Sequence, residues 1–304
     1  MSRPDDHTVT ASELSAIRER ADFLLREACA YGRFPTPVDD IVAAAKLQME
    51  REVSLDVNYL TRMYRAVSGK IKRAVEKVRG LLHFGARMIY LDLSVKQSKQ
   101  RFVSLHETGH ACLPWQRDLY ALMEDGDAEL DPETDQAFER EANVFASEVL
   151  FQLDSFQEDA RSCAFTIKTP IDLAKRYGAS TYAAIRRFVS KSQYVCAVLV
   201  LEPPVYEIGR GYTYRLRRAV CSPGFEARYG LVQWPDVFFT KGHGFASRLP
   251  SHFKRKFTQR CRIPSPVPRE RERFYLEAFD TTYQTFALVF PESELPTIKA
   301  AVRP

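Results

Sequence analysis

The sequence predicts an α+β protein with a mainly helical N-terminal domain and a separate α+β domain at its C-terminal end. Apolar residues recur at spacings of three and four in residues 12–30 and 136–150, which is typical of amphipathic helices. From residue 193 onward, short apolar runs such as 194–201 indicate strands instead. These observations divide the chain into a domain at 1–155, a helix-turn-helix-like segment at 156–192 and a domain at 193–304.

The N-terminal domain is expected to begin with two helices followed by a small β-hairpin. Gly32 and Pro35 end the first helix, and Pro37 opens the second. The runs 81–84 and 88–92, joined at 85–87, then predict the hairpin. An exposed strand edge can pair with an extended peptide. This hairpin is therefore a candidate surface for binding such a peptide, close to the segment at 104–113.

The composition is that of an ordinary water-soluble globular protein. The 304 residues are 45% hydrophobic and 27% charged, and no apolar run approaches the roughly 20 residues needed to span a bilayer. The first residues lack the layout of a signal peptide, and the six cysteines are scattered without a C-x-x-C pair. We therefore expect a cytoplasmic protein with reduced thiols and no membrane partner.

The net charge of +5 is unevenly distributed along the chain. Residues 1–155 contain 20 Lys and Arg against 26 Asp and Glu, whereas residues 156–304 contain 24 against 13. The basic second half predicts an anionic partner, nucleic acid first of all, and a basic solvated surface is the alternative. A further basic patch, between Arg62 and Arg79, is a second candidate surface for an acidic partner.

The most informative segment is His106-Glu107-Thr108-Gly109-His110, an H-E-x-x-H pattern on a predicted helix. Positions four apart share a helix face, so His106 and His110 can bind one metal ion together. Glu107 lies beside them, where it can take a proton from a water at the metal. Zinc (Zn2+) is the expected ion, because two imidazoles and one carboxylate leave a fourth position open. A buried or solvated pair of histidines is the alternative.

A third ligand is expected from the helix at 136–150. Glu139 and Asn143 are four residues apart and share a face, so Glu139 can reach the metal while Asn143 holds the outer nitrogen of a ligand imidazole. Glu141 is rotated by about 200° from Glu139, and we prefer Glu139 for that reason. A solvated acidic face is the alternative for both carboxylates.

Cys112 lies two residues after His110 and admits two interpretations. On a regular helix its thiol points about 200° away from His110, toward the core, where free cysteines commonly lie. Pro114 is close enough to unwind the last turn, and the thiolate would then become an inhibitory fourth ligand that keeps the enzyme latent. A side chain that stabilises the oxyanion should also exist, and the candidates are Tyr90, Tyr120 and His83.

The segment that follows has the spacing of a helix-turn-helix. Residues 169–178 and 180–189 form two short helical patterns separated at Gly178, and the second contains basic residues. Reading DNA is one interpretation, and an αα-hairpin that braces the N-terminal domain is the other. Beyond it, residues 212–220, 237–239 and 285–290 are predicted strands.

These motifs resemble the ImmA/IrrE metallopeptidases. The resemblance rests on Arg101-Phe102 ahead of the H-E-x-x-H pattern and on the run from Glu139 through Asn143 to Ala146. It implies a gluzincin-like N-terminal domain that holds zinc and a C-terminal sensor domain similar to GAF domains. The sequence departs from the family at Leu150-Phe151-Gln152, where a Met-Pro pair is usual.

The resemblance also implies a function, namely zinc-dependent cleavage of a partner helix-turn-helix repressor that controls a stress or antiviral defence operon. Single-stranded DNA would be a plausible signal for the basic second half. Its bases would stack on Tyr212, Tyr214 and Phe239, and its phosphates would bind Arg217 or Lys256. The alternatives are a DNA-binding transcriptional regulator with a structural metal domain and a stress sensor whose C-terminal domain takes a small ligand.

Overall fold

The computed structural model describes residues 9–51, 80–91, 94–124, 130–250, 257–268 and 270–301. The chain is a mixed α/β protein that forms two compact units. Of the described residues, the first unit contains 9–156 and 174–180, and the second contains 157–173 and 181–301. The basic patch between Arg62 and Arg79 lies outside the described residues.

The first unit combines helices with a three-stranded sheet. Its helices are α1 (Ala11–Glu27), α2 (Val38–Ala44), α3 (Gln97–Cys112), α4 (Pro114–Glu124) and α5 (Pro132–Leu150). Its strands are β1 (Gln48–Glu50), β2 (Gly80–His83) and β3 (Met88–Leu91). β3 lies in the centre, parallel to β1 and antiparallel to β2. The predicted hairpin is therefore present, and β2 forms one edge of the described sheet.

The first helix shows how local sequence sets an element's limits. The Thr10 hydroxyl and the Glu13 carboxylate form a capping box at the start of α1. The helix stops at Glu27, three residues before the predicted end, because Cys29 adopts a positive φ of 47°. At the far end of α5, the amide of Gln152 accepts the Gly32 N–H at 2.9 Å and so ties that helix to the loop after α1.

Close packing of α3 against α5 sets the distance between the two predicted ligand-bearing helices. A Cβ atom added at Gly109 would lie 3.1 Å from Phe145 Cδ1 and 3.3 Å from Ala142 Cα. The glycine in the motif therefore lets the two backbones approach each other. Glu139 and Asn143, one turn apart on α5, are placed opposite the histidines of α3 as a result.

Two short helices contribute residues to both units: α6 (Ser155–Arg161) and α7 (Lys168–Tyr177). The second unit also contains α8 (Thr181–Ser190), α9 (Pro223–Tyr229), α10 (Leu295–Ala301) and 3-10 turns at Ala246–Arg248 and Glu292–Glu294. Its strands are β4 (Ala197–Leu201), β5 (Val205–Glu207), β6 (Gly211–Cys221), β7 (Val237–Phe239), β8 (Cys261–Ile263), β9 (Phe274–Asp280) and β10 (Thr285–Pro291).

The sheet of the second unit is antiparallel, with strand order β5-β6-β4-β10-β9-β8 and β7 paired with β6. The two central strands, β4 and β10, are buried throughout, which explains why both are continuously apolar in sequence. The sequence did not predict β9. Glu277 interrupts its apolar residues, and this buried carboxylate pairs with Arg260 at 2.6 Å and accepts the Ile167 N–H at 2.8 Å.

The likeness of this second unit to GAF domains stays a prediction. None of the helices in the described parts of the chain is long and apolar enough to cross a membrane.

Candidate metal centre

His106, His110 and Glu139 meet at one point between α3 and α5. The Nε2 atoms of the two histidines are 3.2 Å apart. The Glu139 carboxylate oxygens lie 3.4 Å from His106 Nε2 and 3.5 Å from His110 Nε2. Among the His, Cys, Asp and Glu side chains that the structure describes, these three form the cluster suited to a metal ion.

The spacing of the three atoms fits a tetrahedral zinc site. Bonds of about 2.0–2.1 Å from zinc to nitrogen or oxygen place neighbouring ligands of a tetrahedron about 3.3–3.4 Å apart. The observed separations of 3.2, 3.4 and 3.5 Å bracket that value. Three ligands of this kind leave the fourth position of a tetrahedron for water or substrate, as in catalytic zinc sites.

The outer hydrogen bonds of the two imidazoles fix their tautomers. His106 Nδ1 donates to Asn143 Oδ1 at 3.2 Å, and His110 Nδ1 donates to Gln116 Oε1 at 2.7 Å. In its neutral form each ring would then turn an Nε2 lone pair toward Glu139. Two imidazole nitrogens and a carboxylate converge there, and a metal ion bound in place of any proton would stabilise this arrangement.

Gln116 is a residue of the candidate site that sequence reasoning missed. Its orientation is unambiguous, because Gln116 Nε2 donates to Glu141 Oε2 at 2.6 Å and to the Phe138 carbonyl at 3.1 Å. Glu141, the rejected ligand candidate, also accepts from Trp115 Nε1 at 2.7 Å. Glu141 thus supports His110 through Gln116. The only indication in the sequence was a polar glutamine near the start of the helix that begins at Pro114, directly after the motif.

Charge and burial shift the pKa values of Glu139 and His110, which face each other, in opposite directions. Burial raises the pKa of Glu139, but hydrogen bonds and charge from His106 and His110 outweigh it and hold that pKa well below its usual range. Burial lowers the pKa of His110, but Glu139 raises it more, with a net increase. Both effects show a strongly coupled acid–base cluster.

Glu107 is buried next to the cluster, with 6% of its surface exposed. Burial raises the pKa of its carboxyl group, and the neighbouring charges of His106 and His110 only partly oppose that effect. The carboxylate accepts a hydrogen bond from the Leu82 backbone N–H, so the edge strand β2 fixes its position. A carboxylate with a raised pKa in a buried site has the properties of a general base.

Cys112 does not join the cluster. It is the last residue of α3, and the helix remains regular through it, so the thiol points away from the His110 face. Pro114 begins a new helix instead of unwinding the old one. Burial raises the pKa of the Cys112 thiol to about 11, which favours the neutral form over the thiolate that a metal would need.

Tyr120 is the candidate oxyanion residue whose ring lies against a ligand. Its ring centroid is 5.5 Å from that of His110, and it stacks on Phe84 at 5.0 Å. Burial, then the charges of Glu139, Asp135 and Glu107, raise its pKa, so the hydroxyl keeps its proton. His83, by contrast, uses Nδ1 to accept the Ala86 N–H at 3.0 Å within the hairpin. Tyr90 lies on β3, in the centre of the sheet.

The residues predicted to bind single-stranded DNA are not equally available. Tyr214 is 1% exposed and belongs to the core of the second unit, so its ring cannot stack on a base. Tyr212 and Phe239 are partly buried, Arg217 is exposed, and Lys256 lies outside the described residues. In the helix-turn-helix-like segment, the basic residue Arg187 of α8 is buried at 5% exposure. The structure therefore gives no support to DNA binding through Tyr214 or Arg187.

Comparison with known proteins supports a metallopeptidase-type site. Residues 65–189 match the family model of the IrrE N-terminal-like domain, which belongs to the metallopeptidases. This match supports the ImmA/IrrE family. The matched stretch includes α3 and α5 with all three clustered side chains. No curated protein matches the chain.

A solved structure, described as a Mycobacterium tuberculosis transcriptional regulator, is similar to this chain in fold. The TM-score is 0.50 at 11% sequence identity, over 91% of this chain and 88% of that chain. At this identity the likeness concerns the fold and says nothing about shared activity.

Replacing Gln116 by leucine should weaken zinc binding without removing a ligand. The His110 imidazole would lose the acceptor that fixes its tautomer, and such outer partners contribute about 10- to 100-fold to metal affinity. Zinc dissociation constants from competition with a chromophoric chelator would measure the effect. Gln48→Leu, at an exposed position of β1, is the matched control. Equal zinc affinities in both variants would contradict the role assigned to Gln116.

Proposed function

We propose that this protein is a zinc-dependent endopeptidase that acts on a protein substrate. The observation that supports this most is the convergence of the two imidazole Nε2 atoms and the Glu139 carboxylate within 3.2–3.5 Å of one another. A structural zinc site normally closes all four positions with protein ligands. A three-ligand set beside the buried Glu107 is the arrangement of a hydrolytic site.

His106, His110 and Glu139 would hold the ion, and a bound zinc supplies Lewis acidity toward the scissile carbonyl and the attacking water. Glu107 takes the proton from that water as the carbonyl is attacked. The same carboxyl group then gives the proton to the nitrogen of the leaving amine. Its raised pKa suits both transfers, and the Leu82 N–H keeps one of its oxygens in place.

Tyr120 is the proposed donor to the oxyanion that develops on the carbonyl oxygen. Phe84 and Phe138 pack against its ring, which lies near His110. Its high pKa keeps the phenol as a hydrogen-bond donor.

Tyr120→Phe should lower kcat by about 100-fold or more while leaving zinc affinity unchanged, which is the usual effect of removing one oxyanion donor. The measurement is single-turnover cleavage of the protein substrate together with a zinc titration. Tyr206→Phe, at an exposed position of the second unit, serves as a control. A comparable loss in Tyr90→Phe with full activity in Tyr120→Phe would assign the role to Tyr90 instead.

The edge strand β2 supports a peptide as the substrate. It lies at the edge of the described sheet, and its backbone contacts Glu107. An extended peptide that pairs with such an edge would place its scissile bond near the cluster. Within this proposal the substrate is a helix-turn-helix transcriptional repressor whose cleavage derepresses a stress or antiviral defence operon, since the matched family points to a regulator-cleaving role.

Incubation of the purified chain with the repressor encoded beside its gene would test the proposal. We expect discrete cleavage products that a chelator abolishes and added zinc restores, with single-stranded DNA tested as the signal in a parallel reaction. Mass spectrometry of the products identifies the cut site. Specific operator binding without any cleavage, in the presence of zinc and of each tested signal, would favour a DNA-binding regulator with a structural metal domain.

A further inference from the structure

A polar cavity lies in the first unit, lined by none of the three clustered side chains His106, His110 and Glu139. It has a volume of about 360 Å³ and is lined by residues of the loop before α2, of β3 and of the N-terminal half of α3. Three arginines line it: Arg33, Arg51 and Arg101. Cavities of this size are at the lower end of the range for small-molecule sites.

The charges of the described residues that line the cavity do not balance. Arg33 pairs with Asp40 at 2.6 Å, and Arg51 pairs with Asp39, so both acidic side chains of the lining are already used. Arg101 has no salt bridge to any carboxylate among the described residues, and its Nη1 atom is buried without a hydrogen-bond partner there. The Arg101 side chain as a whole is half-buried, and an anion bound in the cavity would compensate its charge.

The backbone fixes the position of the Arg101 guanidinium. A Cβ atom at Gly178, which has a φ of +72°, would lie 1.9 Å from Arg101 Nη1. The glycine at the end of α7 therefore leaves room for the guanidinium and limits its movement. Because Nη1 is buried against Gly178, a ligand in the cavity would meet the other N–H groups of the guanidinium, whose planar arrangement suits a carboxylate or phosphate.

We propose that this cavity binds the oxyanion group, phosphate or carboxylate, of a small molecule, with Arg101 as its principal partner. A phosphate or carboxylate group alone would fill only part of the cavity. Pro35, Pro37 and Leu91 provide apolar surface for the remainder of the ligand. Gln97, exposed at the start of α3, adds an amide donor at the same wall. The site shares α3 with the metal ligands but none of their side chains, so it is independent of the proposed peptidase activity.

The test compares the zinc-loaded full chain with Arg101→Gln and with Arg26→Gln, which makes the same change at an exposed position of the same unit. The probes are inorganic phosphate, AMP and acetate, and the readouts are calorimetric binding and the thermal unfolding midpoint. We expect phosphate or AMP, or acetate if the group is a carboxylate, to stabilise the parent and Arg26→Gln equally. In Arg101→Gln the dissociation constant should rise by about 10-fold or more, as lost charge-assisted hydrogen bonds predict.

Stability in anion-free buffer separates a binding role from a packing role. Arg101→Gln removes an uncompensated cation, so its midpoint should equal or exceed that of the parent. A lower midpoint combined with an undiminished response to the probes would overturn the proposal, as would the absence of any response in the parent. If Arg101→Gln fails to fold, Arg101→Lys decides: it keeps the charge but not the planar donors, and unweakened binding would contradict the proposal.

Discussion

Glu107→Gln is expected to abolish cleavage while leaving the fold and the zinc content intact. Glutamine has the shape of glutamate, and its carbonyl oxygen can still accept the Leu82 N–H. It cannot take a proton from water at neutral pH, so the general-base contribution of about 10²- to 10⁴-fold is lost. Single-turnover cleavage, zinc content and the circular dichroism spectrum together measure the effect.

The control for this variant is Glu19→Gln, an identical change at an exposed position of α1. It should cleave at the rate of the unmodified chain. Glu107→Gln protein that binds zinc and still cuts the repressor would refute the assignment of the general base. Loss of both zinc and cleavage would instead place Glu107 among the metal ligands.

Glu139→Gln has the second large expected effect, and it acts on the metal. The substitution removes the only anionic ligand of the three clustered groups, which faces both Nε2 atoms at 3.4 and 3.5 Å. Loss of an outer partner already costs about 10- to 100-fold in metal affinity, so loss of this ligand should cost at least the upper end of that range. Chelator competition would give the zinc dissociation constant.

Two further variants make this result specific. Glu133→Gln lies on the same helix at an exposed position and should bind zinc like the unmodified chain. Glu141→Gln should give a smaller loss than Glu139→Gln, because Glu141 reaches His110 only through Gln116. If Glu141→Gln released zinc while Glu139→Gln retained it, the ligand assignment on α5 would be reversed.

Local sequence was sufficient to predict most of the helices and the ligand candidates. The period of 3.6 residues places His106 with His110, and Glu139 with Asn143, on common helix faces whatever the rest of the chain does. The same rotation separates Glu141 and Cys112 from those faces. The continuously apolar strands β4 and β10 were evident for a related reason, since burial on both faces leaves no polar alternation.

Strand β9 and the aromatic residues show where local patterns fail. Glu277 puts a charged residue into the apolar run of the strand, so the local pattern did not indicate a strand. The partner that allows Glu277 to be buried, Arg260, lies 17 residues away in sequence. Tyr214 looks like its neighbour Tyr212 in sequence, but it is buried in the core of the second unit. Which of two alternating tyrosines faces the core depends on the partner strands and helices, and these are distant in sequence.

The sequence by itself determined the composition of the proposed metal site: two histidines and the proposed general base on one helix, and a carboxylate and an amide on another. The tertiary structure decided which groups orient and surround them. The hydrogen bond of Gln116 to His110, the contact of Leu82 with Glu107 and the position of Arg101, which has no ion-pair partner in the described part of the chain, all arise between elements that only packing brings together. Helical periodicity relates residues within one element, whereas hydrogen-bond partners and cavities depend on how separate elements approach each other.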